Sequence, residues 1–252
     1  MKELTIYNFL LIGWVIVGLV VFIALFFKTA PYGRHARKGW GYSFGGKSAW
    51  VLMEAASPIA FAVCYALGNN NNITAGIFLV LWEAHYVHRA FIYPFSLRGT
   101  ARRMPLSVVM MGLTFNLMNG YLNGRYVFTF SGGYAVSWLR DPRFIFGTML
   151  FIIGFIINRY ADSVLRDLRK PGESGYKISN DGLYRLVSSP NYLGEITIWV
   201  GWAIATWSLP GLVFAFWTVA NLMPRAKANH LWYKQNFPDY PPTRKALIPG
   251  LW

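Results

Sequence analysis

Charge is scarce in this sequence, and acid is scarcer than base. Only 13% of its 252 residues are charged, 55% are hydrophobic, and mean hydropathy is +0.34. Soluble domains carry about 25% charged residues, so an ordinary water-soluble domain is excluded. A single cysteine, Cys64, rules out an internal disulfide and a cysteine-rich metal site; it lies in an apolar run, as a small core residue would. No GxGxxG is present, which removes the Rossmann solution to nucleotide binding, and no GxSxG or HExxH supports a hydrolase or zinc protease. Repeats, low-complexity tails and long linkers are also missing, so residues 1–252 read as a single domain. With 10 acids against 24 Lys and Arg, the net charge is +14. Such a balance can mark a nucleic-acid binder. Here the cations crowd short loops between apolar runs, where orientation in a bilayer and capture of small anions explain them, so no nucleic-acid partner is expected.

What is abundant is apolar sequence in stretches near twenty residues, the length that crosses a bilayer. Spans are expected from about Phe9 to Phe27, Ala49 to Leu67, Thr74 to Tyr93, Pro105 to Asn123, Phe144 inward to Asn158, Tyr192 to Ser208, and Leu212 to Leu222. The first is too long for a signal peptide, lacks a small-residue cleavage signature and reads as a retained helix. Ser208-Leu209-Pro210-Gly211 punctuates the last two spans as a tight turn, although their short apolar parts also allow one broken or re-entrant unit. Nineteen of the 24 Lys and Arg fall on one side of this topology and four on the other, with Arg89 inside the third span. The positive-inside rule then gives the fold class: an all-α polytopic membrane protein with seven transmembrane helices, amino terminus out and carboxyl terminus in the cytoplasm.

Polar residues inside apolar spans are costly and ask for a role. Glu54 and Tyr86 come from antiparallel spans at similar depths, roughly 7–10 Å from the inner boundary at 1.5 Å per residue. A carboxylic acid beside a phenol can polarise a substrate carbonyl, since desolvation favours the neutral acid; an interhelical hydrogen bond is the plainer alternative. His85 and His88 lack a convincing third ligand and have Arg89 beside them, so no metal is expected. Asn116 and Asn119 share a helix face, either towards one site or as interhelical glue.

The longest polar segment, 158–191, is rich in cations. Asn158, Asp162, Arg166 and Arg169 recur at helical spacing on an extension of the fifth span, which Pro171-Gly172 ends. Arginine clusters bind phosphate, while Asn and Asp recognise amide or ribose groups. Ser188 to Glu195 opens the sixth span with a polar cap whose free amides suit an anion or carboxamide, and Glu195 needs a partner. The closing stretch from Arg225 is too polar for lipid and too aromatic for a loose tail, and is expected to fold back under the bundle.

LRKPGE at 168–173, NYLGE at 191–195 and FPDYPPTRKALIP from Phe237, with YGRH around Tyr32 and HYVHR at 85–89, together resemble the steroid 5-alpha-reductases along nearly the whole chain. The resemblance implies a seven-span membrane enzyme that uses NADPH to reduce the C4–C5 double bond of a 3-oxo-Δ4 steroid. Hydride would go to C5 and a proton to C4. It implies that Glu54 and Tyr86 are catalytic, gripping the 3-oxo group. Asn158, Asp162, Arg169, Tyr176, Asn191 and Tyr233 match cofactor positions, as does Arg244 in the closing stretch. Tyr32, Asn119 and Lys177 join the candidate cofactor residues. Either Asn229 or His230 matches the family's histidine. Tyr176-Lys177 stands where the family often has Tyr-Arg, keeping charge but losing the guanidinium fork. The family's Arg after the third span falls on Thr100, with Arg102 and Arg103 close behind.

The expected protein is thus a multi-pass membrane monomer, of a bacterial inner membrane, whose segments at about 28–48, 94–104, 161–190 and 224–252 close the cofactor site. Its substrate enters from membrane lipid. The alternatives are a reductase of another lipid enone or an enoyl thioester, a lipid-modifying methyltransferase, and a noncatalytic scaffold or transporter.

Overall fold

The computed structural model describes residues 2–37, 39–97, 103–168 and 175–252. Its elements are α1 (Lys2–Phe27), α2 (Gly46–Ala66), α3 (Ile73–Val87), α4 (Tyr93–Ser96), α5 (Leu106–Arg125), α6 (Pro142–Asp167), α7 (Pro190–Thr206) and α8 (Leu209–Asn236). A wide π-turn, His88–Ile92, joins α3 to α4 without a break in the helical path. Each expected span therefore has a helix. Of these, α1, α2 and α6 are long and apolar enough to cross a membrane. Two short strands, Ser43–Phe44 and Met104–Pro105, pair antiparallel beside the α2 and α5 starts.

The end of the chain departs from the sequence reading. The sequence pattern ends the last span near Leu222, but α8 continues through Pro224 to Asn236. A proline inside a helix removes one N–H yet need not end it when the surrounding packing holds the backbone. Arg225, directly after it, is bound by three groups from other segments. Only the stretch from Phe237 folds back, where Val187 bridges Lys245 in parallel register. The turn between α7 and α8 is tight as expected. Trp207 takes a left-handed conformation, and the Ser208 side chain caps α8 by accepting from Gly211 N at 3.1 Å.

Loops sort to two ends. At one, the residue 28–37 loop meets α8 and the 175–187 segment through Arg34 and Arg225. At the other, Asn69 and Asn70 donate to Phe128 O, and Asn72 and Tyr134 link to Tyr134 O and Thr206 O. Between them lies an aromatic core in which Trp82 stacks on Phe61 at 4.4 Å and touches Trp199, Trp202 and Phe214.

Helices α6 and α7 touch backbone to backbone because Gly147 and Gly154 on one meet Gly201 and Gly194 on the other. A Cβ on Gly154 would lie 2.6 Å from Ile198 N and 2.7 Å from Gly194 O. This close approach sets Asn158 against the start of α7. Gly154→Ala should push the helices apart and destabilise the fold by about 2–3 kcal/mol, the cost of overpacking a rigid contact. A thermal midpoint equal to wild type in detergent would show that the pair can slide without loss.

Candidate active site

Helices α2, α3, α6 and α7 bring polar side chains into one buried cluster below the aromatic core. From α3 and its π-turn come His85, Tyr86 and Arg89. Arg89 lies between carboxylates, with Nε 3.8 Å from Glu54 Oε1 and Nη1 3.8 Å from Asp162 Oδ2. Its guanidinium faces the Trp50 and Tyr93 rings at 4.8 and 5.1 Å. Glu195 finds three partners: His85 Nε2 at 3.2 Å, Asn158 Nδ2 at 3.0 Å and Trp199 Nε1 at 3.0 Å. Asn158 also donates to Asn191 O at 2.9 Å, and Asn191 Nδ2 donates to Asp162 Oδ1 at 3.1 Å. Asn158 and Asp162, one helical turn apart on α6, thus both meet the start of α7. Buried polar groups are tolerated when paired in this way.

Tyr86 is buried, with its ring against His85, Trp82 and Trp199 at 5.0, 5.3 and 5.6 Å. Its phenol faces α2, within electrostatic reach of Glu54. Asn116 on α5 donates to Met53 O at 2.9 Å and also interacts with Glu54. Asn119 sits elsewhere: its Oδ1 accepts from Trp14 Nε1 of α1 at 3.3 Å, and its amide donates within α5. Of the two asparagines, Asn116 joins the acid cluster and Asn119 ties helices together.

A second group lies at the end of the bundle that carries the basic loops. The Arg34 guanidinium is enclosed by Tyr233, Tyr176 and Trp232 at 4.4, 4.7 and 5.1 Å and donates to Tyr233 Oη at 3.2 Å. Arg225 stacks on Tyr32 at 3.6 Å and donates to Tyr32 O, Ala30 O and Tyr192 Oη. Because Tyr192 follows Asn191, this cation cluster adjoins the buried acids. Asn229 contacts His35 at 3.1 Å, whereas His230 turns away to Ser188 Oγ at 2.6 Å. Arg244, also buried, donates to Asn180 Oδ1 at 2.7 Å. Lys177 is exposed. Arg103 donates to Ser43 O beside the strand pair, and Arg169 and Arg102 lie outside the described residues.

In the sequence Arg89 reads only as a cation beside the histidines, and Arg34 and Tyr192 have no site role. Two signals were available: an arginine inside an apolar span must find acids, and an arginine among future aromatic neighbours suits stacking. The two histidines separate, His85 to Glu195 and His88 Nδ1 to Arg159 at 2.7 Å.

Burial, with Lys234, Arg244 and Lys245 nearby, holds the His230 imidazole below its ordinary range. His35 is lowered as well, by burial against the Asn229 contact and with help from Arg225 and Arg34. A depressed histidine favours the folded state above its unfolded pKa of about 6.5, and that stabilisation is lost as pH falls towards the folded value. The thermal midpoint should therefore drop between pH 7.5 and 5.5, and less so in His230→Gln. An equal drop in both proteins would remove His230 from the effect.

Two orphaned donors test whether a phosphate-bearing cofactor fits. Among the described residues, Arg34 Nη1 and Arg244 Nε are buried with no hydrogen-bond partner, both on segments of the basic end. Unspent guanidinium donors among aromatic rings suit an anion with flat rings attached.

A profile of the 3-oxo-5-alpha-steroid 4-dehydrogenase family matches residues 102–252. The chain is 42% identical over 258 residues to steroid 5-alpha-reductase DET2 of Gossypium hirsutum, covering 100% of this chain and 99% of that protein. It is 41% identical to 3-oxo-5-alpha-steroid 4-dehydrogenase 1 of Homo sapiens, covering 93% and 91%, and 40% identical to its Bos taurus counterpart, covering 93% and 92%. A profile over most of the chain and relatives matched almost end to end lead to one conclusion: this chain belongs to the steroid 5-alpha-reductase family.

Proposed function

We propose that this protein reduces the C4–C5 double bond of a 3-oxo-Δ4 steroid with NADPH, in a seven-span membrane bundle whose inner loops close the cofactor site. The observation that carries this reading is the burial of Glu54 and Tyr86 on adjoining helices, beneath an apolar aromatic core, in a chain of this family. NADPH would supply the hydride that reaches C5. The chain's own groups do the rest. Arg34, Tyr176, Tyr233 and Arg244 would hold the phosphate-bearing part at the basic end, and Asn158, Asp162 and Asn191 the amide and ribose groups deeper in. Tyr86 and Glu54 would direct hydrogen-bond donors at the 3-oxo atom, where charge develops as the double bond is reduced; a donor aimed there lowers the barrier more than it tightens substrate binding. Burial of both groups away from bulk water would strengthen that interaction. The steroid would arrive from the bilayer along the apolar side of the bundle.

The deciding experiment incubates purified protein with testosterone and NADPH and looks for the 5α-dihydro product by mass spectrometry. Product formation with NADPH is expected. Reduction of an enoyl thioester with no steroid turnover would replace the substrate assignment. Methyl transfer from S-adenosylmethionine would replace the reaction.

A further inference from the structure

Ser57 is 0% exposed, one turn beyond Glu54 on the same face of α2, and among the described residues its hydroxyl has no hydrogen-bond partner. Buried hydroxyls on helices commonly donate to the carbonyl four residues back. Thr197, Thr206 and Thr218 do so here, to Leu193 O, Trp202 O and Phe214 O at 2.8, 2.9 and 3.0 Å. The equivalent acceptor for Ser57 is Met53 O, and that carbonyl already accepts from Asn116 Nδ2 at 2.9 Å. The polar group that Ser57 does approach is the Tyr86 phenol. Both partners have little freedom to turn elsewhere. The Tyr86 ring is held by Trp82, Trp199 and His85, while the Ser57 backbone is pressed by Gly120, where a Cβ would lie 2.8 Å from Ser57 O.

We infer that Ser57 is a positioning residue for Tyr86: once the phenol donates to the substrate's 3-oxo atom, its oxygen accepts from the otherwise unpartnered Ser57 hydroxyl. This rests on the reading above that Tyr86 meets the ketone. Hydrogen bonds in such a chain polarise one another, so the phenol becomes a better donor as charge builds on the steroid oxygen. The same bond fixes the direction in which the phenol O–H points. No proton leaves Ser57, and its hydroxyl serves only to bias Tyr86.

The test compares wild type, Ser57→Ala, Ser57→Thr, Tyr86→Phe and the Ser57→Ala/Tyr86→Phe double variant. Single-turnover steroid reduction is followed by mass spectrometry at saturating NADPH, with thermal midpoints measured in parallel. Ser57→Ala should slow the reduction about tenfold, the factor expected for one hydrogen bond worth roughly a decade in rate. Its KM for steroid and its thermal midpoint should hold. Ser57→Thr, which keeps the hydroxyl, should retain most of the rate. In the Tyr86→Phe background, removing Ser57 should cost nothing more, because the group it acts through is gone. A wild-type rate in Ser57→Ala overturns the inference, as does the same fold-loss with and without the Tyr86 hydroxyl, which is what a packing role predicts. Wild-type turnover by Tyr86→Phe alone would overturn the assignment of Tyr86 itself, and the two failures are told apart by that variant.

Discussion

Tyr86→Phe is expected to slow steroid reduction by about 10²–10³-fold, the range seen when one donor to a developing oxyanion is removed. The substitution deletes one oxygen and leaves the ring, so contacts with Trp82, Trp199 and His85 persist and the helix packing should hold. NADPH affinity should stay at its wild-type value, because the cation cluster around Arg34 and Arg225 lies on other segments. Steroid KM should move little, since the phenol acts most strongly once charge has built on the 3-oxo atom. Stopped-flow oxidation of NADPH under single-turnover conditions, with cofactor binding measured separately, tests each part. Turnover at the wild-type rate would exclude the phenol from the chemistry, and a parallel loss of NADPH affinity would reassign Tyr86 to the cofactor site.

The order of the long helices could be read from the sequence because burying or lipid-facing apolar runs leave a strong local signal. Lengths near twenty residues and the Ser208–Gly211 punctuation fell close to observed helix ends. The continuation of α8 was not legible, since Pro224 and the polar residues after it resemble a helix stop in any local reading. What overrides them is tertiary: Arg225, held by Ala30, Tyr32 and Tyr192, anchors the helix just where the sequence seems to release it. The site shows the same division. Asn158 and Asp162 declared a shared face by their spacing, and Glu195 declared the need for a partner. That the partners would be His85, Asn158 and Trp199 depends on how α6 and α7 meet through their glycines, a contact with no signature in local composition. Asn116 and Asn119 show the limit most plainly. Their spacing suggests a shared face, yet one meets Met53 and Glu54 while the other meets Trp14.

Arg89→Met should be the most destabilising change in the cluster. Arg89 stands between Glu54 and Asp162 at 3.8 Å from each, and their side chains are only 11% and 8% exposed. Methionine fills much of the same length against Trp50 and Tyr93, so the effect reports charge more than packing. Removing one member of a buried ion pair strands its partners without water, and costs about 3–5 kcal/mol where the charges persist. Here Asp162 loses its counter-ion, and Glu54, neutral as a donor to the ketone requires, loses its cationic neighbour, with Glu195 held by His85 on the next helix. Neutralising Asp162 should recover part of the loss: Arg89→Met with Asp162→Asn should be more stable than Arg89→Met alone, although Asp162→Asn by itself should destabilise the wild type. That sign reversal is the signature of coupling rather than of two independent injuries. Thermal midpoints of the four proteins in one detergent, without cofactor, close the cycle. If Arg89→Met shifts stability by less than about 1 kcal/mol, within the ordinary range for point changes, the three carboxyl groups do not depend on a central cation. In that case the cluster is held by its amide and indole donors, Asn158, Asn191 and Trp199, and Arg89 would be free to serve a bound anion instead.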